Sequence, residues 1–219
     1  MKTAILLYDD MTCLDAMGPY EVLASIPGND LCFVAERRGE IRPDTRLLGL
    51  VADHAIADVD AVDILVVPGG NDQPQRENVK ILEWIRRIDE RTTWTTSVCT
   101  GSLILAAAGL LRGRRATTHW MRHDVLETYG ASPTLERVVV DGKYVTAAGV
   151  SAGIDMALRL AQILGGDELS QGIQLAIEYD PQPPFDAGSP EKAPAAIVDL
   201  VRSLLGSGRR SAATVSASA

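Results

Sequence analysis

Cys99 stands where two kinds of sequence meet. Before it, Thr92-Thr93-Trp94-Thr95-Thr96-Ser97-Val98 is rich in β-branched residues and reads as a strand. After it, Thr100-Gly101 opens an apolar run of Leu, Ile and Ala that reads as a buried helix ending at Gly109. A strand that turns sharply into a helix, with one nucleophilic side chain at the corner, has the form of a nucleophile elbow. Unpaired backbone N–H groups and the positive end of the helix dipole gather at such a corner, and both lower the pKa of a thiol. The chemistry this equips is attack by a thiolate on an electrophilic carbon. The small residues Gly101 and Ser102 leave room for a substrate to approach. A purely structural cysteine accounts for the same stretch equally well, because a free cysteine packs as a small hydrophobe.

The elements that must position this corner follow from the rest of the chain. Residues 3–8 form a continuous apolar strand of the kind buried on both faces of a parallel sheet. A loop is expected over 9–18, and Pro19 suits the first turn of a helix at 20–24. Further strands are expected at 31–35, 46–51 and 62–67, the last stopped by Pro68-Gly69-Gly70. Val79, Leu82, Ile85, Arg86 and Ile88 have helical spacing. After the cysteine corner come a short strand at 116–118 and a helix from His119-Trp120 toward Tyr129. A hairpin of 138–140 with 144–147 turns at Asp141-Gly142. Helices at 154–164 and 167–178, a proline-rich segment at 180–190 and a helix at 194–205 complete the pattern.

Strands alternating with helices predict an α/β fold, flavodoxin-like and doubly wound, with a mostly parallel sheet sandwiched by helices. Ligands bind such sheets beyond the carboxyl ends of the strands, near the topological switch point. Asp15 after the first strand, Gly69-Gly70 after Val67 and Cys99 after Val98 would then share one edge. The G-x-G-x-x-G fingerprint is absent, so a dinucleotide is not supported.

The 219 residues suit one domain, drawn over 1–205, with a Ser/Ala/Gly/Arg-rich tail at 206–219 expected to be disordered. A net charge of −8 without a dense Lys/Arg block argues against nucleic acid or an anionic membrane as partner. The apolar runs are too short to span a bilayer, and the N-terminus is charged too soon for a signal peptide. Three cysteines, Cys13, Cys32 and Cys99, are too few and of the wrong parity for a disulfide framework, which points to reduced thiols in the cytoplasm. Neither CxxC nor HExxH occurs, so no metal site is expected. Cys32 reads as core, Cys13 as buried or as a pocket wall, Trp84 as packing, and His54 and His123 as surface or helix residues.

Four stretches together resemble the PfpI-type superfamily: Leu14-Asp15-Ala16-Met17-Gly18-Pro19, Val67-Pro68-Gly69-Gly70, Ser97-Val98-Cys99-Thr100-Gly101 and Ala116-Thr117-Thr118-His119-Trp120. That superfamily resembles class I glutamine amidotransferases in fold and includes the Parkinson-disease-associated deglycase. Within it the chain resembles the isocyanide hydratase subgroup along residues 1–205, and the proline-rich segment from Glu178 to Pro190 matches that subgroup too. The elbow and the His119-Trp120 pair are also similar to the sensor domains of some helix-turn-helix regulators. The resemblance implies that Cys99 is the nucleophile and that Asp15 is its acidic partner, where deglycase-type relatives place Glu. It implies an anion pocket made by the backbone N–H groups of Gly70 and Thr100, with Gly69 and His119 lining the pocket and Val150 approaching the sulfur with its backbone. It also implies a homodimer with the cysteine close to the subunit interface, and no metal or organic cofactor. One departure stands out: Ala147-Ala148-Gly149 occupies the place of a glycine run, which stiffens the backbone there and narrows the space beside Cys99.

The chemistry of the residues agrees with a hydro-lyase. An isocyanide offers an electrophilic terminal carbon to a soft thiolate. An acid must then deliver a proton to that carbon, and Asp15 fills this role if burial and the thiolate raise its pKa. Water added to the resulting thioimidate would release an N-substituted formamide. Asp15 taken alone reads first as a helix N-terminal acid and only beside the Cys99 elbow as its catalytic partner, and Gly69-Gly70 reads also as a tight turn. His119 reads as a base for Cys99 or as a structural residue. Alternative functions of the same fold are deglycase or glyoxalase-type thiol chemistry and a non-enzymatic ligand or oxidation sensor. Asp15 in place of Glu speaks against the first. Thr100, where PfpI proteases carry His after the cysteine, and the lack of a later His-x-Glu speak against proteolysis and glutaminase activity.

Overall fold

The computed structural model describes residues 1–206, and the expected tail beyond Gly206 lies outside the described residues. The chain divides into two compact units, Met1–Tyr179 and the segment from Asp180 onward. The second carries one helix after the proline-rich stretch.

In the first unit the chain runs through β1 (Lys2–Leu6), α1 (Cys13–Leu23), β2 (Asp30–Ala35), β3 (Gly39–Ile41), β4 (Leu50–Ala52) and β5 (His54–Ala55). It continues through β6 (Ile64–Val67), α2 (Gln73–Glu77), α3 (Val79–Asp89), β7 (Trp94–Val98), α4 (Gly101–Ala107) and β8 (Arg115–Ala116). Then follow α5 (His123–Thr128), β9 (Ser132–Pro133), β10 (Val138–Asp141), β11 (Tyr144–Ala147) and α6 (Ala152–Ala176). The helix of the second unit is α7 (Ala195–Gly206). Non-helical backbone at Gly166 (φ 82°, ψ 178°) divides α6 in two, which matches the two helices read from the sequence.

Seven strands form the main sheet in the order β10-β11-β7-β6-β1-β2-β5. All neighbours are parallel except the β10–β11 hairpin at one edge. Strand β6 is buried along its length, as its unbroken Ile64-Leu65-Val66-Val67 run requires at the centre of a covered parallel sheet. Helices α1 and α6 pack on each other, and α4 packs with α2 and α3. The result is the mostly parallel, helix-flanked α/β sheet that the pattern predicts. The chain builds outward from β1 to β2 and β5, then returns to place β6 on the other side of β1. The reversal therefore falls between β1 and β6, so the crevice at a switch point opens beside the ends of these strands.

Two local readings are corrected. Helix α1 begins at Cys13, not at Pro19, so Asp15 sits in its first turn and Pro19 lies inside it. The interior proline leaves the Asp15 carbonyl without its helical N–H donor. Residues 46–51 are not one strand. Arg46 adopts a left-handed φ of 61°, and only Leu50–Ala52 pairs, with Gly39–Ile41. Leu47 is 88% exposed, so its apolar character does not mark a buried face. Among the described residues no helix is long and apolar enough to cross a membrane.

Candidate active site

Adjacent parallel strands β11, β7, β6 and β1 deliver their carboxyl ends to one edge, and each end carries one part of the site. From β7 comes Cys99, which is 2% exposed. Its φ is 56°, a left-handed value uncommon for a residue with a side chain and the mark of a sharp strand-to-helix corner. The corner is tied at both backbone groups. The Cys99 N–H donates to the carbonyls of Ala147 and Ala148, each at 3.1 Å. Its carbonyl accepts from Ser102 Oγ at 3.1 Å and from Thr118 Oγ1 at 3.1 Å. These bonds hold a conformation that would otherwise cost about 1–3 kcal/mol.

From β6 comes Pro68-Gly69-Gly70. Tyr8, just past the end of β1, donates its hydroxyl to the Pro68 carbonyl at 3.0 Å. Close approach dictates glycine here. A Cβ on Gly69 would stand 2.5 Å from Thr100 N and 2.9 Å from Cys99 Cβ. Gly70, at φ 134°, pairs with Met11 across an antiparallel bridge, and a Cβ there would meet the Met11 backbone at 2.5 Å. The Gly70 N–H donates to Thr100 Oγ1 at 3.0 Å, and that hydroxyl lies 3.2 Å from the Gly70 carbonyl. The Thr100 side chain therefore already occupies the Gly70 N–H that the family resemblance assigns to an anion pocket.

From β1 comes Asp15, wholly buried in the first turn of α1. Its Oδ2 accepts from the Gly69 N–H at 2.9 Å. Gly69 thus lies between the carboxyl and the cysteine corner, touching one by a hydrogen bond and crowding the other. Thr12 fixes the entry to this helix: its N–H donates to the Gly69 carbonyl at 2.8 Å, and its hydroxyl bonds Asp44 Oδ2 at 3.3 Å. Cys13, at the start of α1, has its thiol pKa raised by burial and then by the Asp44 charge, so it is not the activated thiol.

From β11 comes the turn 147–151. Val150 has φ 24°, a strained value for a β-branched residue. The His119 ring lies against this turn, since a Cβ on Gly149 would stand 2.8 Å from His119 Cδ2. His119 Nδ1 accepts from the Met121 N–H at 3.4 Å, which leaves Nε2 to carry the proton of a neutral ring. The fold thus brings Asp15, Gly69, Gly70, Cys99 and Thr100 to one place, with His119 and Val150 at the bordering turn. Tyr8, Thr12 and Arg137, which support these residues, carry no local motif, whereas Thr118 lies in the Ala116–Trp120 stretch without a role that the stretch itself displays. For Tyr8 the signal was a hydroxyl at a strand end.

The DJ-1/PfpI family profile matches residues 1–163, and the chain belongs to that family. It is 45% identical over 203 residues to an isonitrile hydratase of Pseudomonas putida, covering 92% of this chain and 89% of that protein. It is 32% identical to a deglycase of Pyrococcus abyssi over 67% of this chain and 89% of that one. A crystal structure of a ThiJ/PfpI family protein from Pseudomonas syringae superposes with a TM-score of 0.91 at 36% identity, covering 94% of this chain and 86% of that chain.

Proposed function

We propose that this protein hydrates an isocyanide to an N-substituted formamide, with Cys99 as nucleophile and Asp15 as proton carrier. The observation that carries the reading is Gly69 wedged between a buried carboxyl and a left-handed cysteine corner. Similarity to an isonitrile hydratase along most of both chains supports the same substrate class.

In this reading the Cys99 thiolate attacks the terminal carbon of R–N≡C, and Asp15 gives that carbon its proton. Asp15, buried and bonded to Gly69 beside the cysteine corner, is the acid this step uses. The product is a thioimidate, Cys–S–CH=N–R. Asp15, now a carboxylate, takes a proton from water as its oxygen adds to the carbon, and passes it to the nitrogen. Collapse of the tetrahedral adduct expels the thiolate and returns the hydroxyl proton to Asp15, leaving R–NH–CHO. Negative charge arising during these steps lies near the Thr100 N–H, while the Gly70 N–H acts through the Thr100 hydroxyl that it already contacts. No metal or organic cofactor takes part.

The reading includes a homodimer with the site near the subunit interface, a cytoplasmic location, and residues 1–205 working as one domain. The test is turnover of a simple aryl isocyanide by the wild type and by Cys99→Ala, following formamide by chromatography. Formation by the wild type alone supports the reading. Equal rates, or turnover of methylglyoxal in place of the isocyanide, overturn it.

A further inference from the structure

The strained turn after β11 is bracketed by one side chain from outside it. Arg137, which precedes β10, accepts the Ala148 N–H on its carbonyl at 2.9 Å. Its guanidinium reaches past Gly149 and Val150 to the far side of the same turn. Nη2 donates to Ser151 Oγ at 3.1 Å, and Nε donates to Asp155 Oδ2 at 2.7 Å. Tyr179 closes the group, its hydroxyl 3.3 Å from both oxygens of Asp155. Two carbonyls of this turn, those of Ala147 and Ala148, receive the Cys99 N–H.

Ser151 adds a second, independent observation. Serine at a helix N-cap ordinarily accepts from an N–H of its own first turn. Ser151 caps α6 without any such bond and gives its hydroxyl oxygen to Arg137. The local stabilisation that a serine cap provides is thus forgone in favour of a contact across the turn. Nor does the ion pair compensate in stability, because Arg137 and Asp155 side chains are 49% and 33% exposed, and exposed pairs contribute little. What the cluster supplies is a fixed position for two residues, one of them in a backbone conformation that its neighbours must impose. Helix α6 transmits that position in two directions: a Cβ on Gly153 would lie 3.1 Å from both Pro19 of α1 and Val98 of β7. These elements carry Asp15 and Cys99.

We propose that Arg137 is a positioning residue for the reaction, a latch that holds the 147–151 turn, through Ser151 and Asp155, in the strained form that frames Cys99. The proposal rests on the isocyanide hydratase reading only for its kinetic arm. The test compares the wild type with Arg137→Met, which keeps the aliphatic stem, Arg137→Lys, which restores charge but not the fork, and Ser151→Ala. Three quantities are read: kcat and KM for an aryl isocyanide, the rate of Cys99 carbamidomethylation by iodoacetamide mapped by mass spectrometry, and the thermal midpoint.

The expected result for Arg137→Met is a fall in kcat of about tenfold with KM within about twofold, as misplacement of a reacting group gives. Its Cys99 alkylation rate should change in parallel, Arg137→Lys should fall between it and the wild type, and the thermal midpoint should stay within a few degrees. Wild-type kcat and alkylation in Arg137→Met overturn the latch, and so does a rise in KM alone. Should Arg137→Met fail to fold, Ser151→Ala and Arg137→Lys decide by the same criteria. Absence of isocyanide turnover by the wild type sinks the functional reading, and the alkylation rates still judge the latch.

Discussion

Asp15 can be stripped of its proton chemistry without removing its hydrogen bond, which separates its two roles. Its Oδ2 is the acceptor for the Gly69 N–H at 2.9 Å, in a place with no solvent. In Asp15→Asn the amide oxygen occupies the same position, so Gly69 keeps its acceptor, while the side chain can neither donate nor take up a proton in the pH range of the reaction. In Asp15→Ala the Gly69 N–H is left buried and unpaired, which costs about 1–3 kcal/mol. For a chain of this length each kcal/mol moves the thermal midpoint by about 2–4 °C, so Asp15→Ala should melt about 2–12 °C below the wild type. Asp15→Asn should stay within about 1 kcal/mol of the wild type, a midpoint shift of at most about 4 °C, since the Gly69 N–H keeps its acceptor. Both should lose about 10²–10⁴-fold in kcat for isocyanide hydration, the usual worth of a positioned acid–base group. Calorimetric midpoints and formamide production measure the two effects on the same samples. An Asp15→Asn enzyme within tenfold of wild-type kcat would refute the proton-carrier role, and an Asp15→Asn protein as unstable as Asp15→Ala would refute the account of the Gly69 bond.

Other outcomes follow from positions around the site. A Cβ at Gly101 would stand 2.0 Å from the Val67 carbonyl oxygen, backbone against backbone, so Gly101→Ala should lose more than about 3 kcal/mol in urea denaturation, and a wild-type midpoint would contradict the packing described. Far from the site, burial and then the hydrogen bond to Asp89 push the Tyr144 phenol up to about 12 from an ordinary 10.0. The folded state holds this proton more tightly than the unfolded chain, so the contribution is full below pH 10 and is lost as pH rises toward about 12. Tyr144→Phe should flatten that alkaline limb in a pH series of thermal midpoints, and an unchanged limb would assign the loss to another group.

The corner at Cys99 was legible because its signals are local: β-branched residues run up to it, and small, then apolar, helix-forming residues run away from it. Convergence of Asp15 with Gly69 and Cys99 was legible only through topology, since parallel strands place their ends on one edge. Local rules failed where tertiary contacts override them. Pro19 reads as a helix start, yet it lies within α1, in the tight contact with Gly153 that joins α1 to α6. The apolar residues at 47–51 read as one strand, yet Leu47 faces solvent in a loop braced by Asp44 and Arg46 against residues 9–12, and Val51, though in β4, is exposed as well. The bond from Thr100 Oγ1 to Gly70 depends on a rotamer, and the reach of Arg137 to Ser151 and Asp155 on a long side chain crossing a turn. Neither leaves a spacing that a sequence displays. To the eye Arg137 is one surface charge among 21 Lys and Arg residues.

Seclusion of the Cys99 sulfur makes calibre the first property by which any reagent is judged. At 2% exposure this thiol admits what is slender before it weighs what is electrophilic. An isocyanide is a rod at its reactive end, a carbon with one collinear neighbour. An aldehyde or amide carbon arrives with an oxygen and further substituents spread in a plane. Gly69 and Thr100 crowd the corner, so access sets the order in which the three thiols are reached. Bulky thiol dyes meet the partly buried Cys13 and Cys32 first, although burial raises the pKa of both. A bulk count of labelled thiols therefore reports on the two cysteines outside the corner, and the width of the probe, more than its intrinsic reactivity, decides which part of the molecule is being observed.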